Sequence, residues 1–382
     1  MSGTAQSSRL LRWAEVDAGA MRHNAAQIRA ILRESAQLLA MVKSDGYGHG
    51  AAIAAEAALA GGATWLGVYT PDEALSLRGA GFDCPMLVVG WSPPPTLRDL
   101  IDARVDVTVV DADGIRAARD AAEHAGDRVR VHVKLDSGLG RLGVRREGLE
   151  PVIAALRSSA DRVQVAGIFT HFADAESDAG FTGEQHRRFL EAVEELRPVA
   201  PDALLHTCGS AAIIEFPEMH HDLVRLGIAL YGCAPGAVDG AVALRPAMTV
   251  LARVAQVKTV DAGESVGYGR TWWARSRRRI ATVAIGYGQG LPRALSNHGS
   301  LVIAGQRCPI AGVVNMDQVT VDVTDTGPVN TGDVALFFGE HQGVHLDPSE
   351  VAVLAGTIAH EILCRAGSHL PRLAATPRSS DG

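Results

Sequence analysis

Short β-rich runs alternate with helical stretches up to about residue 240, and this alternation constrains the fold more than any other feature of the chain. The runs read LLAMVK, TWLGVY, MLVVG, VDVTVV, RVHVKL, VAGIFTHF, ALLHTC and LVRLGIAL, with helical stretches such as GAMRHNAAQIRAILRES, TPDEALSLRGAG and EQHRRFLEAVEELR among them. Eight β-runs with helical spacers predict a parallel sheet covered by helices, and eight is the count that closes a (β/α)8 TIM barrel. A doubly wound open sheet shares the alternation, but no GxGxxG follows the first run.

From about residue 244 the rhythm changes. MTVLARVAQVKTV, RRIATVAIGYG, SLVIAGQRCPIAGVV, QVTVDVTD and DVALFFG are β-runs separated by Gly, Pro, Asn and Asp, and no long helical pattern occurs before PSEVAVLAGTIAHEILCRAG. The expected organisation is an α/β barrel over 10–243 and a mostly β domain with one late helix over 244–375; 1–9 and 376–382 read as frayed ends.

Charge and cysteine usage remove several classes. The formal charge is −7, which gives no global field for nucleic acid, and the basic run Arg275–Arg279 reads as a solvated turn. No leader-like start and no apolar stretch of the ~18–20 residues that span a membrane is found. Five dispersed cysteines without a CxxC pair fit reduced thiols in cytoplasm better than a disulfide framework or a zinc site. His360 and Cys364 stand at helical i, i+4 spacing, which one late helix explains without a metal.

In a TIM barrel the chemistry sits at the C-terminal ends of the strands. Those ends offer Lys43, then Lys134, Asp136 and Arg141 in KLDSGLGRLG, then His171, Ser210 and Arg225. Each has a bland alternative: a surface lysine, a core histidine, an arginine neutralising Asp136, a helix N-cap at Ser210. Their convergence on one rim favours a site. Gly209, Ser210 and Gly227–Ile228 would follow the seventh and eighth strands, where this fold commonly binds phosphate through backbone N–H groups. A lysine on the same rim points to pyridoxal phosphate, whose aldehyde condenses with a lysine amine.

AMVKSDGYGHG resembles the pyridoxal-phosphate lysine motif of alanine racemases, and the resemblance runs along nearly the whole chain. WAEVDAGAMRHN, VHVKLDSGLGRLGV, GIFTHFADAE, VRLGIALYG, VGYGRTWWA, IGYGQGLPR and NMDQVTVDVTD follow in the family's order. The resemblance implies a PLP-dependent racemase of L- and D-alanine that works as a homodimer with shared active sites. Lys43 would hold the cofactor and act as one base, and Tyr268 from the partner subunit would be the other. Arg225 would face the pyridine nitrogen, and Ser210, Gly227, Ile228 and Tyr47 would hold the phosphate. His171 would pack on the ring, and His360 stands where a tyrosine of the phosphate site is usual. Arg141 and the backbone N–H of Met316 would meet the substrate carboxylate. Lys134 matches a lysine that is often carbamylated in the family. The resemblance also implies a role in supplying D-alanine for a cell wall.

The physical logic fits racemisation. Inverting a stereocentre requires a proton removed from one face and another delivered to the opposite face, so two bases can flank the plane. An arginine at the pyridine nitrogen leaves that nitrogen unprotonated, because guanidinium keeps its proton. Gln289, Val313, Asn315, Gly209 and His360 depart from the family pattern. They leave open a broadened substrate range that includes serine, since a pocket separates small side chains by only ~1–3 kcal/mol. Rival readings are a PLP carrier, which would end after the barrel, and a lyase of the same fold, which would favour an acidic residue where Arg225 stands.

Overall fold

A computed structural model describes residues 7–234 and 242–375; apart from 7–9, the ends expected to fray lie outside the described residues. The chain divides into two compact units, one of residues 22–46 and 51–244, the other of residues 1–21, 47–50 and 245–382. Residues 10–21, expected with the barrel, thus fall in the second unit.

The elements run β1 (Arg12–Val16), α1 (Ala18–Ile31), β2 (Gln37–Met41), α2 (Ala51–Ala60), β3 (Trp65–Val68), α3 (Pro71–Gly79), β4 (Met86–Trp91), α4 (Leu97–Asp102), β5 (Asp106–Val109), α5 (Ala112–Ala125), β6 (Val129–Lys134), α6 (Leu149–Ser158), β7 (Val163–Phe169), α7 (Ala179–Leu196), β8 (Leu204–His206), α8 (Ser210–Glu215) and β9 (Leu223–Leu226). β2 to β9 form an eight-stranded parallel sheet in the order β8-β7-β6-β5-β4-β3-β2-β9. Two backbone bonds bridge the remaining gap between β8 and β9: Asp222 N–H donates to Leu205 O and Arg225 N–H to Cys208 O, both at 3.0 Å. The sheet is thus a nearly closed barrel, as the alternation predicts. Its strands are buried on both faces, with β2 reading Leu38, Leu39, Ala40 and Met41 and β5 reading Val107 and Val109. The helices start where the sequence signals it. Thr70 caps α3 in a capping box with Glu73, followed by Pro71, and Asp111 caps α5 through Gly114 N–H.

The second unit is built on a nine-stranded sheet. Its later elements are β10 (Met248–Val260), the hairpin β11 (Ser265–Val266) and β12 (Trp272–Trp273), β13 (Arg278–Val283), β14 (Ser300–Ile303), β15 (Gln306–Pro309), β16 (Val319–Asp322), β17 (Val334–His341), β18 (Val344–Leu346), α9 (Pro348–Ala355), α10 (Ala359–His369) and β19 (Arg372–Ala374). β1 lies antiparallel to β10 and parallel to β19, so the N-terminal strand is stitched between two C-terminal ones. The single late helix of the sequence reading is two helices. Gly356 adopts φ 68° and ends α9 by donating to Ala352 O and Val353 O, and the periodic pattern resumes at Ala359.

One close approach fixes α10. A Cβ at Gly367 would stand 2.1 Å from Gly48 O, and one at Gly48 would stand 2.7 Å from Leu363 O. Only two glycines let these backbones meet. Gly367→Ala is therefore expected to lower stability by ~1–3 kcal/mol, as overpacking does. A urea-unfolding midpoint equal to the wild type would show that the backbones separate without cost.

Candidate active site

The loop after β2 carries Lys43, and it is a left-handed turn. Ser44, Asp45, Gly46 and Tyr47 all have φ between 50° and 61°, and Gly48 and Gly50 follow with φ 84° and 97°. The glycines suggest a loosened backbone; the structure shows a tightly specified one. A non-glycine residue in this region costs ~1–2 kcal/mol, so the turn needs external support. Glu73 supplies part of it. One carboxylate oxygen accepts Ser44 N–H at 2.6 Å, while the other accepts the N–H groups of Tyr69 and Thr70. Gly46 N–H returns to Val42 O, and Asp45 Oδ1 accepts Ala51 N–H at 2.8 Å at the start of α2. Lys43 Nζ stands 5.8 Å from the centroid of the Tyr69 ring.

The barrel brings together most of the residues expected on its rim. Arg225, on β9, is 5% exposed and held by five contacts. Nη1 donates to His206 Nδ1 at 3.0 Å and His206 O at 2.9 Å; Nη2 donates to the carbonyls of Thr170 and Thr207 and to His171 Nδ1 at 3.2 Å. It has no carboxylate partner, and its Nε–H meets no acceptor among the described residues. Burial pushes its pKa down to about 10, so it stays charged at neutral pH. Burial and then the Arg225 charge push His171 down to about 3, so its ring is neutral and accepts from the guanidinium.

Ser210 opens α8 just past β8, and its Oγ accepts Gly227 N–H at 2.9 Å and Ala229 N–H at 3.3 Å. The hydroxyl thus ties the two loops expected to hold phosphate. The N–H groups of Ser210 and Ile228 donate to no acceptor among the described residues. Gly209 lies beside His171: a Cβ there would be 3.3 Å from His171 Cε1.

Lys134, the last residue of β6, is buried over the Phe169 ring at 5.3 Å. Burial, then the charges of Arg225, Arg141 and Lys43, push its pKa down to about 8. The charged form is disfavoured in the fold, so between about pH 8 and the ordinary lysine value of 10.5 the unfolded chain binds more protons and stability rises with pH. Below that window the penalty is fully present; above it, it is gone. Lys134→Met is expected to stabilise the cofactor-free protein at pH 7 by about 1–3 kcal/mol and to flatten this rise. Matching urea midpoints of the two proteins at pH 7 and pH 10 would reject it.

Arg141 is exposed and has no partner among the described residues. Its bland role, neutralising Asp136, is taken by Arg145 at 3.6 Å and by the N–H groups of Gly138 and Gly140, which hold Asp136 below its usual range.

The second unit carries the other expected residues. Tyr47 is buried, and its ring centroid lies 5.8 Å from that of His360. Desolvation, then Cys364, pushes its pKa well above the usual phenol range, so it stays a hydroxyl donor. Tyr268 tops the β11–β12 hairpin and is 76% exposed. Its neighbour Arg270 anchors the turn by donating to Ser265 Oγ at 2.9 Å and stacking 4.3 Å from the Trp273 centroid. Met316 is also exposed, and its backbone N–H has no acceptor among the described residues, whereas its carbonyl accepts Gly288 N–H. Gln289, a departure from the family pattern, works internally: it accepts Gly286 N–H and donates to Asp317 Oδ1 at 2.9 Å.

Among the described residues no group of three or more His, Cys, Asp or Glu side chains could hold a metal, and no helix is long and apolar enough to cross a membrane. Sequence reading missed His132, His206, Asp106 and Phe169, all buried in the barrel. A signal was present, since His132 and Lys134 stand two apart on one strand and so share a face.

Comparison with known proteins gives the family. The profile of the alanine racemase N-terminal domain matches residues 16–235, and that of the C-terminal domain matches residues 247–374. The chain is 40% identical over 380 residues to the alanine racemase of Desulfosudis oleivorans, covering 96% of this chain and 97% of that protein. It is 38% identical to alanine racemase 2 of Oceanobacillus iheyensis, covering 94% and 92%. The solved structure of alanine racemase from Streptomyces coelicolor A3(2) superposes with a TM-score of 0.91 at 36% identity, covering 97% of this chain and all of that one. The chain belongs to the alanine racemase family, a family of isomerases.

Proposed function

We propose that this protein racemises alanine with pyridoxal phosphate, using Lys43 on one face of the substrate and Tyr268 of a second copy of the chain on the other. The observation that carries this is the buried Arg225, charged, without a carboxylate, its Nε–H left for a ligand. The barrel's donor set fits the cofactor: Lys43 for its aldehyde, Ser210 and Ile228 N–H groups for its phosphate, Arg225 for its pyridine nitrogen. When bound, pyridoxal phosphate supplies an aldehyde that takes up the substrate amine and a ring that withdraws electrons from the Cα–H bond.

Every further step belongs to the chain's own groups. Lys43 and Tyr268 remove and return the Cα proton from opposite faces. Arg225 donates to the pyridine nitrogen without protonating it, which limits electron withdrawal and disfavours transamination. Arg141 and the Met316 N–H hold the substrate carboxylate, and the buried Tyr47 hydroxyl, with His360 beside it, donates to the phosphate. Lys134, with its lowered pKa, supplies a larger neutral fraction of amine near neutral pH than an ordinary lysine, and that fraction adds carbon dioxide; the product is a carbamate and a proton, and the resulting anion orients Arg141. Tyr268 is exposed in the protomer, as are Trp273 and Ile358, which supports a homodimer that completes the site. We place this enzyme in the cytoplasm, supplying D-alanine for a cell wall.

The test is proton exchange at Cα in heavy water. Tyr268→Phe should keep cofactor colour but slow one stereochemical direction by ~10²-fold or more relative to the other. Equal loss in both directions would remove Tyr268 as the second base. A panel of L-amino acids completes the test, with serine turnover close to that of alanine marking a broadened range.

A further inference from the structure

Asp106 opens β5, at the end of the barrel opposite the strand ends that carry the proposed chemistry. Oδ1 accepts from the half-exposed Arg130 Nε–H at 2.9 Å, and Oδ2 lies 3.1 Å from His132 Nε2. His132 Nδ1 is 2.9 Å from His206 Nε2, and His206 Nδ1 is 3.0 Å from Arg225 Nη1. Both imidazoles are fully buried. A glycine makes room for the line, since a Cβ at Gly167 would stand 2.3 Å from His132 Nδ1.

The two ends fix the polarity. A carboxylate only accepts and a guanidinium only donates. Between them, two imidazoles satisfy every contact in one way, with the proton on Nε2 of each. A proton on His206 Nδ1 would face the guanidinium N–H, and a bare His132 Nε2 would face the carboxylate. Burial and the neighbouring Arg225 and His132 push His206 well below its usual range, consistent with a neutral ring. Among the described residues Arg225 has no carboxylate in contact, so Asp106 is the anion at the far end of its hydrogen-bonded line.

We propose that Asp106 is a positioning residue for the reaction: it sets His132 and His206 as Nε2–H tautomers, presents a bare Nδ1 to Arg225, and so holds the guanidinium with Nε directed at the cofactor. This rests on the reading of Arg225 given above. Position alone would assign Asp106 to stability, because that end of a barrel carries no chemistry.

The experiment uses full-length protein with 15N-labelled histidine. Without cofactor, at roughly pH 8, where an ordinary imidazole is neutral, His132 and His206 should both show the Nε2–H pattern. An Nδ1–H tautomer or a doubly protonated ring at either position overturns the proposal. Asp106→Leu should mix the tautomers and, with pyridoxal phosphate, lower kcat for alanine about 10–100-fold, the usual size for losing a group that orients a ligand-contacting residue, with KM within about twofold. Val107→Ala, a buried neighbour outside the line, should lower the unfolding midpoint but keep tautomers and kcat, which a merely structural role for Asp106 would not distinguish. If Asp106→Leu does not fold, Gly167→Ala displaces the His132 ring and should give the same pattern. Wild-type protein that shows the tautomers but neither binds pyridoxal phosphate nor racemises alanine overturns the reading of Arg225, and the positioning role with it. An active Asp106→Leu enzyme with unchanged kcat overturns the positioning role alone.

Discussion

Lys43→Ala protein is expected to be colourless after incubation with pyridoxal phosphate and slower in alanine racemisation by at least ~10³-fold, since it loses the proposed covalent anchor and one of the two proposed proton-transfer groups. The fold should survive. Lys43 is only partly buried, and the left-handed turn that follows it is held by Glu73, Val42 and Asp45. The informative comparison is therefore between absorbance and unfolding. Lost colour with an unchanged urea midpoint is the expected pair. A variant that retains the visible band of a lysine-bound cofactor would place the anchor on another lysine, and Lys134, with its pKa near 8, would be the one to examine next.

Arg225→Leu should produce the second large effect, and two opposing terms set its size. The Thr170 and Thr207 carbonyls and the ring nitrogens of His171 and His206 lose the donor that reaches them. Each orphaned buried acceptor costs ~1–3 kcal/mol. Against this, the leucine relieves the burial of an unpaired guanidinium, whose pKa lowered to about 10 is worth roughly 3 kcal/mol. Four such acceptors, less that relief, leave a net loss of stability between about 1 and about 9 kcal/mol. Racemisation should nevertheless fall ~10²-fold or more, because the proposed donor to the pyridine nitrogen is gone. Urea unfolding and initial rates on one preparation check both. Activity within a few-fold of wild type would detach Arg225 from the chemistry, and a stability loss above about 9 kcal/mol would mean that the guanidinium's burial is compensated better than its contacts indicate.

Much of the fold was legible. All eight barrel strands fall within or beside the β-runs read from the sequence, because a parallel sheet covered on both faces needs apolar strands of that length. The β10 boundaries, Met248–Val260, coincide with the run MTVLARVAQVKTV. Less legible was β1. RWAEV is short and pairs with strands that follow more than two hundred residues later, and local pattern carries no information about so distant a partner. The break between α9 and α10 was hidden for another reason: apolar periodicity continues across Gly356, and only its φ of 68° ends the helix.

The site divides in the same way. Residue types at strand ends single out Lys43, Lys134, His171, Ser210 and Arg225 from the sequence alone, because the barrel topology places every strand end on one rim. The tertiary structure decided what those residues can do. Among the described residues it buried Arg225 without a carboxylate and left its Nε–H without an acceptor; it joined Ser210 to Gly227 and Ala229, and set Asp106, His132 and His206 in line behind the guanidinium. Sequence fixes which groups face inward, through a period of two along a strand. The donor and acceptor order of a buried line depends on neighbours from four different strands, and their register is set only when the barrel closes.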